Sequence, residues 1–190
     1  MERIAEASPR PNARVAGVVY LLYFLTAISG EVFVGRGQLV LYDAVNLISH
    51  AFYIAVTLLF YYLFKPVNRS LSLLAAFSGL VGCALEPLSH FHFAPSHISP
   101  MAFFGFYCLL IGFLIFRSTF LPRILGALMA IAGLAWLTFL SPPLANYLSP
   151  YNLALGALGE GSLMLWLLVM GVNVRRWKEQ ASAAGASIRT

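Results

Sequence analysis

The sequence predicts an all-α, polytopic membrane helix bundle with six transmembrane helices and both termini in the cytoplasm. The first observation is composition: 60% of the 190 residues are hydrophobic and 10% are charged, with a mean hydropathy of +0.81, a balance that soluble globular domains do not have. The second is a set of six apolar stretches, each long enough to cross about 30 Å of hydrocarbon. The third is charge placement, because six spans put every Lys and Arg except Arg36 on one side.

The six apolar stretches use nearly the whole chain and leave no room for a soluble domain. Gly, Pro, Asn and charged residues separate them, and the short loops make consecutive spans antiparallel neighbours. We therefore expect one transmembrane domain over residues 15–175, with disordered cytoplasmic ends at 1–14 and 176–190. The predicted spans cover residues 15–34, 44–64, 71–90, 99–116, 124–140 and 153–172.

The formal net charge of +5 follows from this topology. Lys and Arg on the cytoplasmic side set the orientation and attract anionic lipid headgroups. The charge therefore requires no nucleic-acid partner, and we expect membrane lipid as the partner and the bacterial inner membrane as the location. Cys83 and Cys108 fall inside predicted spans, where they are expected to be small buried residues rather than a disulfide framework.

Ionisable residues inside the predicted spans define the candidate site. An ionisable residue at membrane depth costs about 2.5–3.5 kcal/mol, so it normally faces the bundle interior or a water-filled cavity. Such residues fall in the outer half of the spans, and we expect them to form one polar site that opens to the outer side. Glu160, Glu86 and His50 are the candidate catalytic residues. The complete predicted site contains Glu31, His50, Glu86, His90 and Glu160.

Spacing within the second and third spans supports a shared cavity. His90 follows Glu86 by four residues and so lies on the same helical face. Pro87 cannot donate to the carbonyl one turn earlier, which favours a kink beside the acid. Polar residues at alternating spacings of three and four form a stripe along the second span, so one face of that helix looks inward, and Asp43 is expected to cap its outer start. The stripe is Asp43, Asn46, His50, Tyr53, Thr57 and Tyr61.

Two kinds of chemistry fit these residues. Carboxylates and imidazoles on facing helices are ligands of metal centres in helix bundles, so a transition metal such as Zn or Fe bound by all five site residues is one interpretation. The spacing of four between Glu86 and His90 differs from the Glu-x-x-His spacing of di-iron bundles. The other interpretation needs no metal, because a carboxyl group and a histidine can exchange protons with a lipid-soluble substrate in a pocket walled by Phe residues and Trp136.

Two non-enzymatic functions use the same residues. In a small proton-coupled transporter, Glu86, Glu160 and His50 load and release a proton or cation, although the inner half of the spans has no ionisable residue to continue the path. In a non-catalytic component of a membrane assembly, the two acids only hydrogen-bond His50 and His90 and hold the bundle together. Among these functions we predict an enzyme, metal-dependent or acid–base, that acts on a lipid-soluble small molecule.

Four stretches of the chain resemble an uncharacterised family of bacterial integral membrane proteins, the domain of unknown function 4386. They read RVAGVVYLLY at 14–23, KPVNRSLSLLAA at 65–76, RSTFLPRILGALMAIAG at 117–133 and GEGSLMLWLLVMGVN at 159–173. The resemblance implies a multi-span bacterial membrane protein and no known activity. The last stretch resembles the closing helix of the family, which implies that Glu160 is the best single candidate for a functional acid. The segment around Glu86 and His90 is less typical of the family.

Overall fold

The computed structural model describes residues 9–34, 39–90 and 99–186, and this part of the chain is built of helices. Six of them are long and apolar enough to cross a membrane, which confirms the predicted fold class of an all-α, multi-pass membrane bundle. The helices are α1 (Pro9–Ser29, continued by a π-helical turn at Gly30–Val34), α2 (Leu39–Phe64), α3 (Arg69–His90), α4 (Pro100–Arg117), α5 (Arg123–Leu137, continued by a 3₁₀ turn at Thr138–Leu140), α6 (Pro142–Leu148), α7 (Tyr151–Val169) and α8 (Val174–Ala186).

Local sequence signals fix several helix ends. Pro100 and Pro142 stand in the first turns of α4 and α6, where the missing N–H has no intrahelical partner in any case. The side chain of Asn68 accepts the backbone N–H of Leu71 at 2.9 Å and so satisfies one free donor at the start of α3. After α7, Gly171 adopts a φ of 68°, a left-handed conformation that favours glycine at a helix end.

The structure differs from the sequence expectation at both ends of the chain. The first helix begins at Pro9, inside the segment 1–14 for which composition predicts disorder, and α8 occupies most of the C-terminal segment. Contacts that composition does not reveal hold α8 in place. The indole of Trp177 donates to the carbonyl of Leu63 at 3.0 Å, and Gln180 hydrogen-bonds the loop between α4 and α5. Tertiary packing of this kind stabilises a helix whose own composition is polar.

The six membrane helices form a closed ring in the order α1, α2, α3, α4, α5 and α7, with α7 packed back on α1. Neighbouring helices approach each other most closely at glycine residues. Gly105 and Gly112 on α4 face Gly133 and Gly126 on α5, and a methyl group added at Gly112 would lie 2.8 Å from the carbonyl oxygen of Gly126. The spacing of seven on both helices repeats one face every two turns. Small residues at such positions let transmembrane backbones pack directly.

Aromatic side chains fill the half of the ring that lies towards the C-terminal ends of α2 and α4, the half that the sequence predicts to be cytoplasmic. Phe60 on α2 packs edge-on against Tyr20 of α1 with ring centroids 5.8 Å apart. Phe64 continues this column towards the C-terminal end of α2, 6.0 Å from Phe60 and 6.0 Å from Phe120 in the loop after α4. All four rings are buried. The inner half of the bundle is therefore a packed apolar core.

Candidate functional site

Glu160 is the most deeply placed acid in the described part of the chain, and it is 4% exposed on α7. Three side-chain donors from three other helices meet its carboxyl group. The hydroxyls of Tyr20 and Tyr53 both donate to Oε2, the second at 3.1 Å. The indole Nε1 of Trp136 donates to Oε1 at 2.7 Å. One carboxyl group thus connects α7 to α1, α2 and α5.

The hydrogen-bond pattern around Glu160 is complementary to a carboxylate. The indole of Trp136 can only donate, and both tyrosine hydroxyls point at the same oxygen of Glu160. An ionised Glu160 can therefore accept the indole proton and both hydroxyl protons. Within the described residues no Lys, Arg or His pairs with Glu160. Neutral donors therefore surround Glu160 in place of a salt-bridge partner. The thiol of Cys108 also lies beside the Glu160 carboxyl group.

Glycines on α7 position this network. Gly156 lies one turn before Glu160, and a methyl group there would collide with the six-membered ring of Trp136. Gly159 lies against the backbone carbonyl of Leu128 on α5 in the same way. The two glycines bring α5 and α7 together and give the indole a place beside the acid. The sequence patterns did not identify Trp136 or Tyr20 as partners of Glu160.

His50 and Glu86 form a second polar group between α2 and α3. The Nε2 atom of His50 lies 3.2 Å from Oε2 of Glu86, with the side chains 14% and 29% exposed. The other ring nitrogen, Nδ1, lies 2.7 Å from the backbone oxygen of Asn46. A carbonyl oxygen can only accept, so Nδ1 carries a proton. Nε2 therefore faces Oε2, where it can accept a proton from a carboxylic acid or, as an imidazolium, donate to a carboxylate.

A cleft opens beside this pair at the outer end of the α2 and α3 seam. Its volume is about 30 Å³, room for roughly two water molecules. Counting about 1.5 Å per residue, His50 lies roughly 16 Å below the outer end of α2 whereas Glu86 lies about 6 Å below that of α3. The first turns of α2 form one wall of the cleft. The cleft is lined by Tyr42, Asp43, Asn46, Leu47, His50, Glu86 and Pro87.

The structure places Glu160 and the His50–Glu86 pair in separate surroundings. Glu160 does not line the outer cleft, and Tyr53 lies between them along α2, three residues after His50. The ring of Tyr53 packs against Tyr23 with centroids 4.8 Å apart and against Phe104 at 5.1 Å. Aromatic rings thus separate an outer, partly exposed pair from an inner, enclosed acid. The predicted polar stripe of α2 takes part in both groups.

Glu31 lies outside both groups, on the π-helical turn after α1, where its Oε1 accepts the hydroxyl of Tyr42 at 2.5 Å. The predicted role of Asp43 as a helix cap is wrong, because α2 begins four residues earlier, at Leu39. Asp43 instead lines the cleft. The reason is that apolar residues 39–41 extend the helix beyond the hydropathy boundary that the sequence suggested.

His90 ends α3, and its side chain is outside the described part of the structure. Within residues 9–34, 39–90 and 99–186, no three His, Cys, Asp or Glu side chains lie close enough together to hold a metal ion. Three donors already surround Glu160, and Glu31 bonds to Tyr42. Metal binding by the five predicted site residues stays a prediction.

Comparisons with known proteins agree with the resemblance noted in the sequence. Residues 87–171 match the family described as Domain of unknown function (DUF4386). This segment contains Trp136 and Glu160 and begins directly after Glu86. An uncharacterized protein of Archaeoglobus fulgidus is 29% identical over an alignment of 127 residues that covers 62% of this chain and 76% of that protein. No solved structure matches the chain. The predicted resemblance to this uncharacterised family is therefore confirmed over residues 87–171.

Proposed function

We propose that this multi-pass membrane protein is an acid–base enzyme of the bacterial inner membrane that acts on a lipid-soluble substrate. His50 and Glu86 are its proton-exchanging pair. The observation that carries the proposal is the contact of 3.2 Å between His50 Nε2 and Glu86 Oε2 at the wall of the outer cleft. A histidine and a carboxyl group that share a proton at a cleft are the groups that general acid–base catalysis uses.

The proton count of the pair gives it two working states. With one proton between Nε2 and Oε2, the pair can release that proton to a bound substrate and act as an acid. Without it, a nitrogen lone pair and a carboxylate oxygen face each other across 3.2 Å. That repulsion favours taking a proton from a substrate, so the pair then acts as a base.

The backbone of α2 keeps the imidazole ready for this exchange. The carbonyl of Asn46 holds Nδ1–H at 2.7 Å, so the ring cannot turn without losing a hydrogen bond. A fixed tautomer leaves Nε2 as the atom that faces both Glu86 and the cleft. Positioning of this kind lowers the cost of orienting a catalytic group at the moment of reaction.

Glu160 has a positioning role in this proposal. Both of its oxygens are occupied by Tyr20, Tyr53 and Trp136, so its carboxyl group is not available to a substrate in the cleft. The bond from Tyr53 connects Glu160 to α2 one turn below His50. Glu160, the acid that the family resemblance favours, therefore helps to position α2, the helix that carries His50.

The packing of the inner half favours an enzyme over a carrier. A carrier needs its site to reach both membrane faces, whereas the rings of Tyr20, Phe60, Phe64 and Phe120 form a continuous apolar column on the cytoplasmic side. A catalyst needs access from one side only. The small proton-coupled carrier remains the competing function that the experiment must be able to detect.

Solvent-proton exchange into membrane lipids tests the proposal. Purified protein is placed in vesicles made from a membrane lipid extract in deuterated water, and the lipids are compared by mass spectrometry with those of protein-free vesicles. We expect at least one lipid-soluble species to gain deuterium or change mass. His50→Gln and Glu86→Gln should slow this change by about 10²-fold or more, the usual contribution of an acid–base group.

The control variant is Glu179→Gln, which removes an acid of the exposed Arg175–Glu179 pair on α8 and should act like the wild type. Unchanged lipid profiles with folded wild-type protein would contradict the proposal. If the profiles are unchanged but a pH gradient collapses faster in vesicles that contain the protein, and this requires His50 and Glu86, the carrier function replaces it.

A further inference from the structure

The last helix, α8, lies across the end of the ring at which α2 and α4 finish. The indole of Trp177 donates to the carbonyl of Leu63, one residue before the end of α2. The backbone N–H of Asn173 donates at 3.3 Å to the carbonyl of Phe120, three residues beyond the end of α4. Because α2 and α4 are membrane spans that end here, α8 lies at the depth of the lipid headgroups and not in hydrocarbon.

The two faces of α8 differ in charge. One face packs on the hydrophobic core through Trp177, whereas Arg175, Arg176 and Lys178 are exposed. Arg175 forms an ion pair with Glu179 at 2.9 Å, and Glu179 is the only acid in the sequence of α8. Arg176 and Lys178 therefore have no carboxylate partner among the residues that the structure describes. The exposed face of α8 carries an excess of positive charge.

The loop between α4 and α5 extends this charge. Arg117 ends α4, Arg123 begins α5, and both are exposed. The side chain of Gln180 on α8 donates to the carbonyl of Arg117 at 3.3 Å. Nη1 of Arg176 donates to the carbonyl of Thr119, also at 3.3 Å. No Asp or Glu lies between residues 117 and 123, and we call the surface formed by Arg117, Arg123 and Arg176 the basic face.

Arg117 places one charge of the basic face at the edge of the hydrocarbon. Its guanidinium group lies over the ring of Phe113, 5.6 Å from the centroid. Phe113 is 44% exposed on a membrane span and so faces lipid. This cation–π contact uses the flat side of the guanidinium group and leaves the N–H donors at its edge available to an anion. Ile124, next to Arg123, is 64% exposed on α5 and faces lipid as well. A ligand with an anionic group and acyl chains is therefore complementary to this surface.

We propose that the basic face binds the headgroups of anionic phospholipids in the adjoining leaflet, which charge placement in the sequence predicts to be the cytoplasmic one. The guanidinium groups of Arg117, Arg123 and Arg176 donate to phosphate oxygens, whose geometry suits them. The acyl chains lie along Phe113 and Ile124. A zwitterionic headgroup carries its own cation beside the phosphate and so gains less from the basic face. This binding does not depend on the proposed enzyme activity.

Native mass spectrometry of the full-length protein in detergent tests the proposal. The protein is titrated with dioleoyl phosphatidylglycerol and, separately, with dioleoyl phosphatidylcholine, which has the same chains and a zwitterionic headgroup. We expect phosphatidylglycerol to bind about tenfold more tightly, the gain from one or two cations beside an anionic headgroup. Arg117→Gln and Arg176→Gln should each reduce this preference, and the double variant should remove it.

The matched control is Arg175→Gln. It removes the same charge from the neighbouring position of α8, where the guanidinium group is already paired with Glu179, and it should keep the preference for phosphatidylglycerol. If Arg176→Gln lowers the melting temperature by losing its bond to Thr119, Arg117→Gln carries the comparison, because the side chain of Arg117 makes no hydrogen bond within the described structure.

Equal binding of the two lipids by folded wild-type protein would overturn the proposal. Equal losses in Arg175→Gln and in the variants of the basic face would overturn it too, because the attraction would then follow total charge. A short single-stranded oligonucleotide serves as a soluble polyanion in the same titration. If its binding requires Arg117 and Arg176 while that of phosphatidylglycerol does not, the surface recognises a soluble partner and the assignment to lipid is wrong.

Discussion

Gly156 lies directly against the indole of Trp136, and this packing sets the ring so that its Nε1 donates to Glu160 at 2.7 Å. Gly156 and Glu160 are one turn apart on α7, so the same helical face supplies both the surface under the ring and the acceptor at its edge. The contact explains why a bulky aromatic residue can lie between two closely packed helices. It also makes the hydrogen bond depend on a residue that has no polar side chain.

Gly156→Ala should therefore displace Trp136 and weaken its bond to Glu160. We expect a loss of about 1–3 kcal/mol from overpacking, measured as a lower melting temperature in detergent. The matched control is Gly161→Ala on the same helix, where an added methyl group has nothing within 4 Å. That change should be neutral or stabilising by about 0.5–1 kcal/mol, because alanine favours helix. Equal effects of the two substitutions would contradict the packing described for Trp136.

The sequence predicted the helices better than the site because the two rest on different physics. Hydropathy acts along the chain, so all six apolar helices follow from the composition of short windows, whereas the orientation that charge placement indicates stays a prediction. The approach of His50 to Glu86 was within reach of the sequence as well, since both are ionisable residues at membrane depth on neighbouring helices. The contact between Glu86 and His50 is also the one that the non-catalytic, purely structural role predicts for these two residues.

Glu160 shows what sequence patterns leave out. The sequence grouped it with the histidines because they are all ionisable, whereas in the folded chain Tyr20, Tyr53 and Trp136 surround it. Which way each helix is rotated about its axis decides this, and that rotation is set by close contacts such as Gly156 on the indole. Tyrosine and tryptophan in a span are also common as packing or interfacial residues, so their donor groups give no distinct signal.

Trp136→Phe should remove the donor and keep most of the ring packing. Oε1 of Glu160 then loses the indole donor, and weakening the hydrogen bonding of a buried acceptor costs up to about 1–3 kcal/mol. We expect a lower melting temperature in detergent. Trp166→Phe provides the control, because Trp166 packs on the same core without a side-chain hydrogen bond to Glu160. A larger loss in the control would argue that packing, and not the indole donor, stabilises this region.

Substitutions of Glu160 should separate hydrogen bonding from charge. Glu160→Gln keeps one acceptor oxygen for Trp136 and offers an amide donor to a tyrosine oxygen, so most of the network can re-form. Glu160→Leu leaves all three donors without an acceptor, and we expect it to be less stable than Glu160→Gln by several kcal/mol. Melting temperatures of the two purified variants provide the comparison.

The activity of these variants gives an independent check of the role assigned to Glu160. A positioning residue tolerates the conservative change, so Glu160→Gln should retain deuterium transfer in the lipid assay with a rate within about tenfold of the wild type. A loss of activity as large as that of Glu86→Gln, in a protein with an unchanged melting temperature, would show that Glu160 takes part in the chemistry and does not only position α2.

The protonation of His50 can be observed directly. The bond from Nδ1 to the Asn46 carbonyl predicts that Nδ1 carries the proton of the neutral ring, whereas the signal of Nε2 reports the contact with Glu86. Nitrogen-15 NMR of histidine-labelled protein, with His50→Gln to assign the resonance, measures both atoms. Glu86→Gln should shift the Nε2 signal of His50 because an amide replaces the acid that shares its proton, and Glu179→Gln should not. A His50 ring whose Nδ1 loses its proton while Nε2 keeps one would reverse the tautomer and contradict the hydrogen bond from Nδ1 to the Asn46 carbonyl that positions the ring in the proposed chemistry.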